Sequence, residues 1–195
     1  QKAITNEETA SFGSVKSIQF NWDENFQQTE KYQQKIIPEK DFLFMQEKVN
    51  DFIKKNSSIF NQRVEKNKIK HCHGDFHSAN VFVTPEGIYI FDGIVFNKRF
   101  PCSDVIAEIA FMAMDLDFHG KKDLSQKFVK EYQRLSNDKE IPKLLDFYKC
   151  YRAYIRGKIA CFTSDDANLT AEEKEKTIQN AKKYFSLARD YAELF

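Results

Sequence analysis

The chain contains 195 residues, and its 30 Lys and Arg residues nearly balance its 29 Asp and Glu residues, leaving a formal net charge of +1. This length predicts one domain, and the charge balance offers no basic field that would attract nucleic acid or an anionic membrane. No segment approaches the roughly 18 apolar residues that a transmembrane helix needs. The four cysteines lack CxxC spacing, so we expect free thiols in a cytoplasmic protein.

The first third of the chain is expected to be helical after a loop-like start. Residues 1–21 show weak periodicity and are expected to be loop with short pieces of structure. Asp23 is expected to cap a helix that continues to residue 37, where Pro38 ends it and opens the next. Apolar residues at positions 42, 45, 49, 52 and 53 predict a helix over residues 39–55, and a shorter helix is expected over residues 59–65.

The middle of the chain has β-like runs at residues 69–72, 80–83 and 88–91, and Pro85-Glu86-Gly87 is a turn signal that makes the last two a hairpin. Helices are expected from Asp104 to Gly120 and over residues 123–135, 142–162 and 171–194, the last with a capping box at Thr170. The predicted fold is α+β, mainly α, with a small central β-hairpin. Six phenylalanines are assigned to its core by the usual burial preference: Phe82, Phe91, Phe96, Phe100, Phe111 and Phe118.

The segment that carries chemistry joins His73-Gly74-Asp75 to Asn80 and Asp92. Asn80 enters one hairpin strand and Asp92 leaves the other, so the two side chains are expected to face each other at the hairpin mouth, beside the Asp75 loop. One amide oxygen and one carboxylate suit Mg²⁺, which takes a few protein oxygens together with substrate phosphates. Asp75 is then free to orient a hydroxyl and accept its proton, the division of labour that phosphoryl transfer requires.

A zinc site is the alternative interpretation of this segment, since His71, His73 and His77 lie close together with Cys72 between the first two. Structural zinc is usually closed by four protein ligands. Along a strand Cys72 would face away from His71 and His73, and no second cluster supplies the missing ligand. We therefore favour magnesium.

The pattern H-G-D-x-x-x-x-N at residues 73–80, followed by a hairpin and a second Asp, resembles the catalytic core of the aminoglycoside phosphotransferase superfamily, which shares the protein-kinase-like fold. The wider stretch HGDFHSAN…IFDGIVFNKRF…DVIAEIAFMAMDLDF is similar to a bacterial branch of aminoglycoside-phosphotransferase-like enzymes, some of them fused to a P-loop ATPase domain. Residues 151–158 also resemble the C-terminal helix of that branch, so the resemblance covers residues 12–162.

The resemblance implies a role for each residue that matches the pattern. Asp75 would be the catalytic base, and Asn80 and Asp92 would hold Mg²⁺. His73 would brace the catalytic loop, and Asp104 would hydrogen-bond the backbone of that loop from beneath, a role compatible with a simple helix N-cap. Possible contacts with acceptor or phosphate are assigned to His77, Arg152, Arg156 and Lys158, although a solvated helix face stays open for the three basic residues.

The resemblance also implies ATP or GTP as phosphate donor and a small-molecule hydroxyl as acceptor. Active members have an N-terminal lobe with a phosphate-gripping Lys, and neither a Gly-rich loop nor such a strand precedes residue 71. We therefore expect a catalytic lobe alone, with a helical lead-in (1–68), catalytic loop and metal hairpin (69–97) and helical subdomain (98–195). Such a lobe would be weak or inactive without a missing nucleotide lobe or fused ATPase domain, and a non-catalytic binding or scaffold domain is the alternative.

Overall fold

Helices form most of the computed structural model, which describes residues 6–195. They are α1 (Glu7–Ser11), α2 (Val15–Thr29), α3 (Glu39–Lys55), α4 (Ser57–Glu65), α5 (Val105–Phe118), α6 (Lys122–Ser136), α7 (Ile141–Ser164) and α8 (Ala171–Ala192). The strands are β1 (Ile69–His71), β2 (Val81–Thr84), β3 (Gly87–Ile90) and β4 (Cys102–Asp104), and 3-10 turns occupy Glu30–Tyr32 and Ser78–Asn80. The expectation of a mainly helical α+β chain with a small hairpin is confirmed for these residues.

The strands form two separate antiparallel pairs, β1 with β4 and β2 with β3. The second pair is the predicted hairpin, and its register places Thr84 opposite Gly87 around the turn. Strand β4 is absent from the sequence prediction, because three residues are too few to show the alternation that identifies a strand. Its pairing with β1 fixes the end of the loop that follows the hairpin.

The prediction for the N-terminal region was wrong about its first long helix. Helix α2 begins well before Asp23 and ends before residue 37, and its N-cap is Ser14, whose Oγ accepts a 3.2 Å hydrogen bond from the Ser17 N–H. Trp22 and Phe26 lie on its buried face. The many polar residues of this helix hide the apolar period in the sequence. The part of the expected loop at residues 1–5 lies outside the described residues.

Helices α3 to α8 agree with the sequence prediction to within one or two residues. All five apolar positions predicted for the inner face of α3 are buried, and the capping box at Thr170 is formed with Glu173. None of the helices within residues 6–195 combines the length and the apolarity required to cross a bilayer.

Aromatic rings fill the core around α7, which packs against α5 and α8. The rings of Phe52 and Phe147 stack with centroids 4.8 Å apart. Helices α7 and α8 approach closely at Gly157, where an added Cβ would lie only 2.9 Å from the ring of Phe185. A side chain at position 157 would therefore force the two helices apart.

The expectation that six phenylalanines share the core holds only for the two in α5. Phe111 is buried and Phe118 packs against the core. Four others are exposed, with 54% for Phe82, 42% for Phe91, 80% for Phe96 and 42% for Phe100. These four lie on the hairpin and on the loop after it, and no layer of the described chain covers those segments.

A buried ion cluster joins α4 to the start of α5 and to the loop before α7. The guanidinium of Arg63, 1% exposed, donates to Asp104 over 2.6 and 2.7 Å and to Asp138 over 2.7 and 2.8 Å. Burial by itself would lower the pKa of Arg63, but the two carboxylates raise it above its ordinary value, so this side chain stays charged. The cluster connects three segments that are far apart in sequence.

We expect Arg63→Met to lower the free energy of unfolding by about 3–5 kcal/mol, because it leaves buried Asp104 without its cation and Asp138 with Lys68 alone, at 3.2 Å. Urea denaturation followed by circular dichroism measures the loss. Arg134→Met is the matched control, since Arg134 pairs with Glu131 on the surface and its loss should cost less than about 1 kcal/mol. Equal losses in the two variants would show that the cluster does not stabilise the fold.

Candidate active site

The loop after β1 presents Asp75 in a backbone conformation that depends on the preceding glycine. Gly74 has φ of +84°, in the left-handed region, and a Cβ there would lie 3.0 Å from the Cα of Pro101. Glycine is the residue that adopts such a conformation without strain. The pairing of β1 with β4 places Pro101 against the loop, where the Cys72 N–H donates to the Pro101 carbonyl over 2.8 Å.

Asp75 is held by its two neighbours in the predicted pattern. The Asn80 amide donates to the Asp75 carboxylate over 3.1 Å and to its backbone carbonyl over 2.9 Å. The His77 Nε2 lies 3.3 Å from the same carboxylate oxygen. Burial opposes the charge of Asp75, but hydrogen bonds from His77 and Asn80 and the charges of His77 and Arg156 lower its pKa below the ordinary value. Asp75 is therefore ionised at neutral pH, as a proton acceptor must be.

Asp92 lies at the hairpin mouth, one residue beyond Phe91, which is opposite Asn80. The register pairs Val81 with Ile90, and the Phe91 N–H donates to the Asn80 carbonyl over 3.2 Å. Asp92 itself is exposed and has φ of +64°. A left-handed conformation is uncommon for a residue other than glycine, and such backbone strain concentrates at functional sites.

His73 makes the contacts expected of a bracing residue. Its Nε2 lies 2.8 Å from the Phe91 carbonyl, and its own carbonyl accepts a 2.9 Å hydrogen bond from the Ile94 N–H. These two bonds tie the Asp75 loop to both sides of Asp92. The loop and the hairpin end therefore form one connected unit.

Glu108, rather than the predicted Asp104, hydrogen-bonds the backbone of the loop. Its carboxylate accepts from the N–H groups of His73, over 2.8 Å, and Gly74, over 3.2 Å. Asp104 instead caps α5 through a 2.9 Å bond from the Ile106 N–H and pairs with the Arg63 guanidinium. One helical turn separates the two carboxylates, and only the later one lies against the loop.

Asp115, two turns farther along α5, holds the other end of the loop. It accepts hydrogen bonds from the Ser78 backbone N–H, over 2.9 Å, and from the Ser78 hydroxyl, over 2.5 Å. Ser78 begins the 3-10 turn that ends at Asn80. Neither Glu108 nor Asp115 is named by the sequence analysis. With Asp117, they are the acidic residues of the otherwise apolar α5 sequence VIAEIAFMAMDLDF, a signal that could have identified them.

The four residues assigned to acceptor or phosphate contacts occupy different environments. His77 is buried with its ring centroid 5.5 Å from that of Phe111. Arg152 is buried and donates to the backbone carbonyls of Ala107, over 3.0 Å, and Gly74, over 3.3 Å, so it braces the loop rather than lying on a solvated face.

The other two basic residues of α7 are only partly buried. Arg156 lies over the Tyr184 ring at 5.8 Å and contributes its charge to the environment of Asp75. Lys158 donates to the side-chain oxygens of Asn25, over 2.6 Å, and Gln28, over 2.8 Å. Arg156 therefore belongs to the surroundings of Asp75, and Lys158 contacts α2.

A cleft of about 550 Å³ borders Asp75. It is lined by residues of α2, of α7 and of the segment 94–103, with Gly74 and Asp75 contributing from the loop. Both Lys158 and Arg152 line it. The sequence analysis predicted neither the cleft nor the α2 residues in it, because α2 was not recognised over most of its length.

The donor set at the hairpin fits magnesium better than zinc. Asn80 uses its amide nitrogen on Asp75, which leaves its Oδ1 to join the Asp92 carboxylate as a hard oxygen ligand. His73 and His77 both contact oxygen atoms through Nε2. Within residues 6–195, no group of three or more His, Cys, Asp or Glu side chains is arranged to hold a metal ion. Magnesium with two protein oxygens would complete its shell with phosphate and water.

Two mycobacterial proteins are similar to this chain: the uncharacterized protein Rv2004c of Mycobacterium tuberculosis (strain ATCC 25618 / H37Rv) and the uncharacterized protein Mb2027c of Mycobacterium bovis. Each is 29% identical over 161 residues, which is 83% of this chain and 32% of the relative. The matched part thus spans about a third of the relatives' own length. No protein-family description matches the chain, and no solved structure does.

We expect Glu108→Gln to loosen the loop, because the substitution keeps the side-chain shape but removes the charge that strengthens two N–H hydrogen bonds. Charge-assisted bonds are about twice as strong as neutral ones. Amide exchange measured by NMR should accelerate about tenfold at His73 and Gly74, equivalent to about 1.4 kcal/mol. Glu131→Gln on the exposed face of α6 is the control. Unchanged exchange at both loop amides would contradict this account of Glu108.

Proposed function

We propose that this chain is the kinase-like catalytic lobe of a phosphotransferase that moves the terminal phosphoryl group of ATP or GTP to a small-molecule hydroxyl. One observation carries the proposal: an ionised Asp75, hydrogen-bonded to Asn80, lies between a cleft and a hairpin mouth that carries Asp92. A base, an amide and a second carboxylate at this spacing are the residues that phosphoryl transfer uses for orientation and charge stabilisation.

In the proposed reaction, Asp75 accepts a hydrogen bond from the acceptor hydroxyl and then takes its proton. The hydroxyl oxygen forms a bond to the terminal phosphorus as the bond between that phosphorus and the bridging oxygen breaks. The nucleoside diphosphate leaves with the electron pair, and Asp75 returns the proton to solvent. His77 and Asn80 hold the carboxylate during this exchange, and Arg152 and Glu108 hold the loop backbone.

Asn80 and Asp92 are the residues that would hold Mg²⁺, which supplies charge neutralisation for the phosphates when it is bound. Asp92 is exposed and has a left-handed backbone, which Asp adopts more readily than most residues.

The surface of the hairpin supports a nucleotide-holding partner outside the described residues. Val83 and Ile88, which pair across the hairpin, are 77% and 70% exposed on one face, and the next pair, Phe82 and Tyr89, is exposed on the other face. Large exposed apolar side chains grouped in this way are typical of an interaction site. We propose that it packs against the protein that cradles the nucleotide, a missing lobe or a fused ATPase domain. The reaction would take place in the cytoplasm, where the four unpaired cysteines stay reduced.

A non-catalytic scaffold domain is the second candidate. The favouring observation is that residues 6–195 contain no glycine-rich loop; of their glycines, Gly74 and Gly93 belong to the loop and hairpin segments and Gly87 to the hairpin turn. A scaffold would retain the fold and its exposed hairpin without needing an ionised Asp75. The two candidates therefore differ in what substitution of Asp75 does.

We expect Asp75→Asn to lower phosphoryl transfer at least 10²-fold, and by up to about 10⁴-fold, because the amide cannot accept the hydroxyl proton. The assay follows transfer of labelled terminal phosphate from ATP with Mg²⁺ to a pool of small hydroxyl compounds. The protein assayed is the full product of the reading frame that encodes this chain.

Asp51→Asn is the matched control, since Asp51 pairs with Lys55 on the exposed face of α3. Its rate should equal that of the unmodified protein. Transfer that persists in Asp75→Asn would reject Asp75 as the base. No transfer by any form, including the unmodified protein with its flanking sequence, would favour the scaffold.

Metal binding offers a test that does not depend on turnover. Mn²⁺, used in place of Mg²⁺, should broaden the NMR signals of Asn80 and its hairpin neighbours at low ratios of metal to protein. Asp92→Asn should weaken this effect about tenfold or more, because it removes the charged ligand. Asp166→Asn, in the exposed loop before α8, should leave it unchanged. Equal broadening in Asp92→Asn and the unmodified chain would reject Asp92 as a ligand.

A further inference from the structure

The cleft beside Asp75 contains buried hydrogen-bond donors that nothing in the described chain satisfies. Trp22 Nε1, Asn25 Nδ2 and Arg99 Nε have no partner, and all three residues line the cleft. The side chains of Trp22 and Asn25 are almost fully buried, with residue exposures of 0% and 2%. A buried donor without a partner costs about 1–3 kcal/mol. All three unsatisfied groups are hydrogen-bond donors, so a ligand with acceptor atoms would satisfy them.

The charges lining the cleft leave one cation without an acidic partner. Arg99 pairs with Glu24, and Arg152 lies 3.7 Å from Glu108. Lys158 donates only to neutral amide oxygens of α2 and, within the described chain, forms no ion pair. Burial is the main influence that lowers the pKa of Lys158, aided by the charge of Arg99 and opposed by Glu24. An anion in the cleft would supply the charge that Lys158 lacks.

The remaining wall of the cleft is aromatic and aliphatic, including Tyr151, Ile155, Phe100 and Phe111. Apolar walls with a few convergent polar groups are the usual composition of a small-molecule site, and about 550 Å³ lies within the usual size range of such sites. The cleft therefore suits a ring-sized body that carries oxygen atoms on one side.

We propose that the cleft binds a hydroxylated carboxylic acid, with Lys158 taking the carboxylate and the Trp22 and Asn25 side chains donating to the oxygens of the ligand. A polycationic amino sugar fits this part of the lining less well, because it would bring further donors to Trp22 and Asn25 and further positive charge to Lys158. The proposal rests on the proposed function only in one respect, that the ligand presents a hydroxyl to Asp75 as the phosphate acceptor.

Three ring compounds of similar size test the charge preference: quinate, myo-inositol and 2-deoxystreptamine. All are hydroxylated cyclohexanes, and they are anionic, neutral and cationic in that order. None absorbs where tryptophan emits, and the chain contains one tryptophan, Trp22. We expect quinate to change the Trp22 emission with saturation and to bind at least tenfold more tightly than myo-inositol. We expect no saturable change with 2-deoxystreptamine.

Lys158→Met should lower the affinity for quinate about tenfold or more and leave the weak binding of myo-inositol unchanged. Lys55→Met is the matched control on the exposed face of α3 and should bind quinate as the unmodified chain does. The thermal unfolding midpoint of each variant shows whether a loss of binding comes from loss of the fold. Should Lys158→Met unfold, Lys158→Gln, which keeps a donor without the charge, replaces it.

The proposal would be overturned if 2-deoxystreptamine bound as tightly as quinate or more tightly. It would also be overturned if none of the three compounds gave a saturable change, or if Lys158→Met bound quinate as tightly as the unmodified chain. Asp75→Asn, which keeps a hydrogen-bonding side chain at the ligand hydroxyl, should lower the affinity for quinate less than Lys158→Met does, since the proposed partner of the carboxylate is Lys158 on α7. Quinate binding in the predicted order, with no phosphate transfer even by the chain together with its flanking sequence, would count against the proposed function and leave the ligand class intact.

Discussion

The need to satisfy the carboxylates of α5 constrains the rest of the site. Asp104, Glu108 and Asp115 lie at or within a helix whose other residues are mostly buried and apolar. A buried carboxylate requires hydrogen-bond donors. Asp104 obtains them from Arg63, Glu108 from the N–H groups at the start of the Asp75 loop, and Asp115 from Ser78 at its end. The loop is therefore held at both ends by one rigid helix, and Asp75 lies between the two anchors.

Arg152 connects this arrangement to the cleft. Its guanidinium donates hydrogen bonds to the backbone carbonyls of Gly74 and Ala107. The same side chain also lines the cleft. A ligand in the cleft would therefore contact a side chain that is itself bonded to the residue before Asp75. Under the proposed function, Arg152 would help to position both the acceptor and Asp75, as preorganisation of a catalytic group requires.

The sequence was informative where local spacing decides structure. Spacings of three and four residues predicted the helices with a regular apolar period, and the turn signal at Pro85 predicted the hairpin. The spacing of five residues between Asp75 and Asn80 predicted that these two lie together, and the hairpin predicted that Asp92 lies near them. The Asp75 and Asn80 side chains do meet. Such contacts lie within or beside one supersecondary unit, where chain geometry leaves few alternatives.

Contacts between distant segments could not be predicted in the same way. The choice of Glu108 over Asp104 as the partner of the loop depends on which turn of α5 faces it, and this depends on the Arg63 cluster from another helix. The cleft depends on α2, whose polar residues hide its period. The phenylalanines of the hairpin were expected to be buried because they are apolar. They are exposed, since no other segment of the described chain covers them.

Under the proposed function, selection of the acceptor and holding of the nucleotide would be properties of different polypeptide segments. The cleft, the proposed base and the proposed metal ligands all lie within the described residues, whereas nothing there covers the apolar residues of the hairpin. Because Lys158, Trp22 and Asn25 belong to helices of this chain, the proposed acceptor would bind without the nucleotide partner. Binding of the acceptor and transfer to it are then separable, and a chain inactive by itself would still carry the specificity of the complete enzyme.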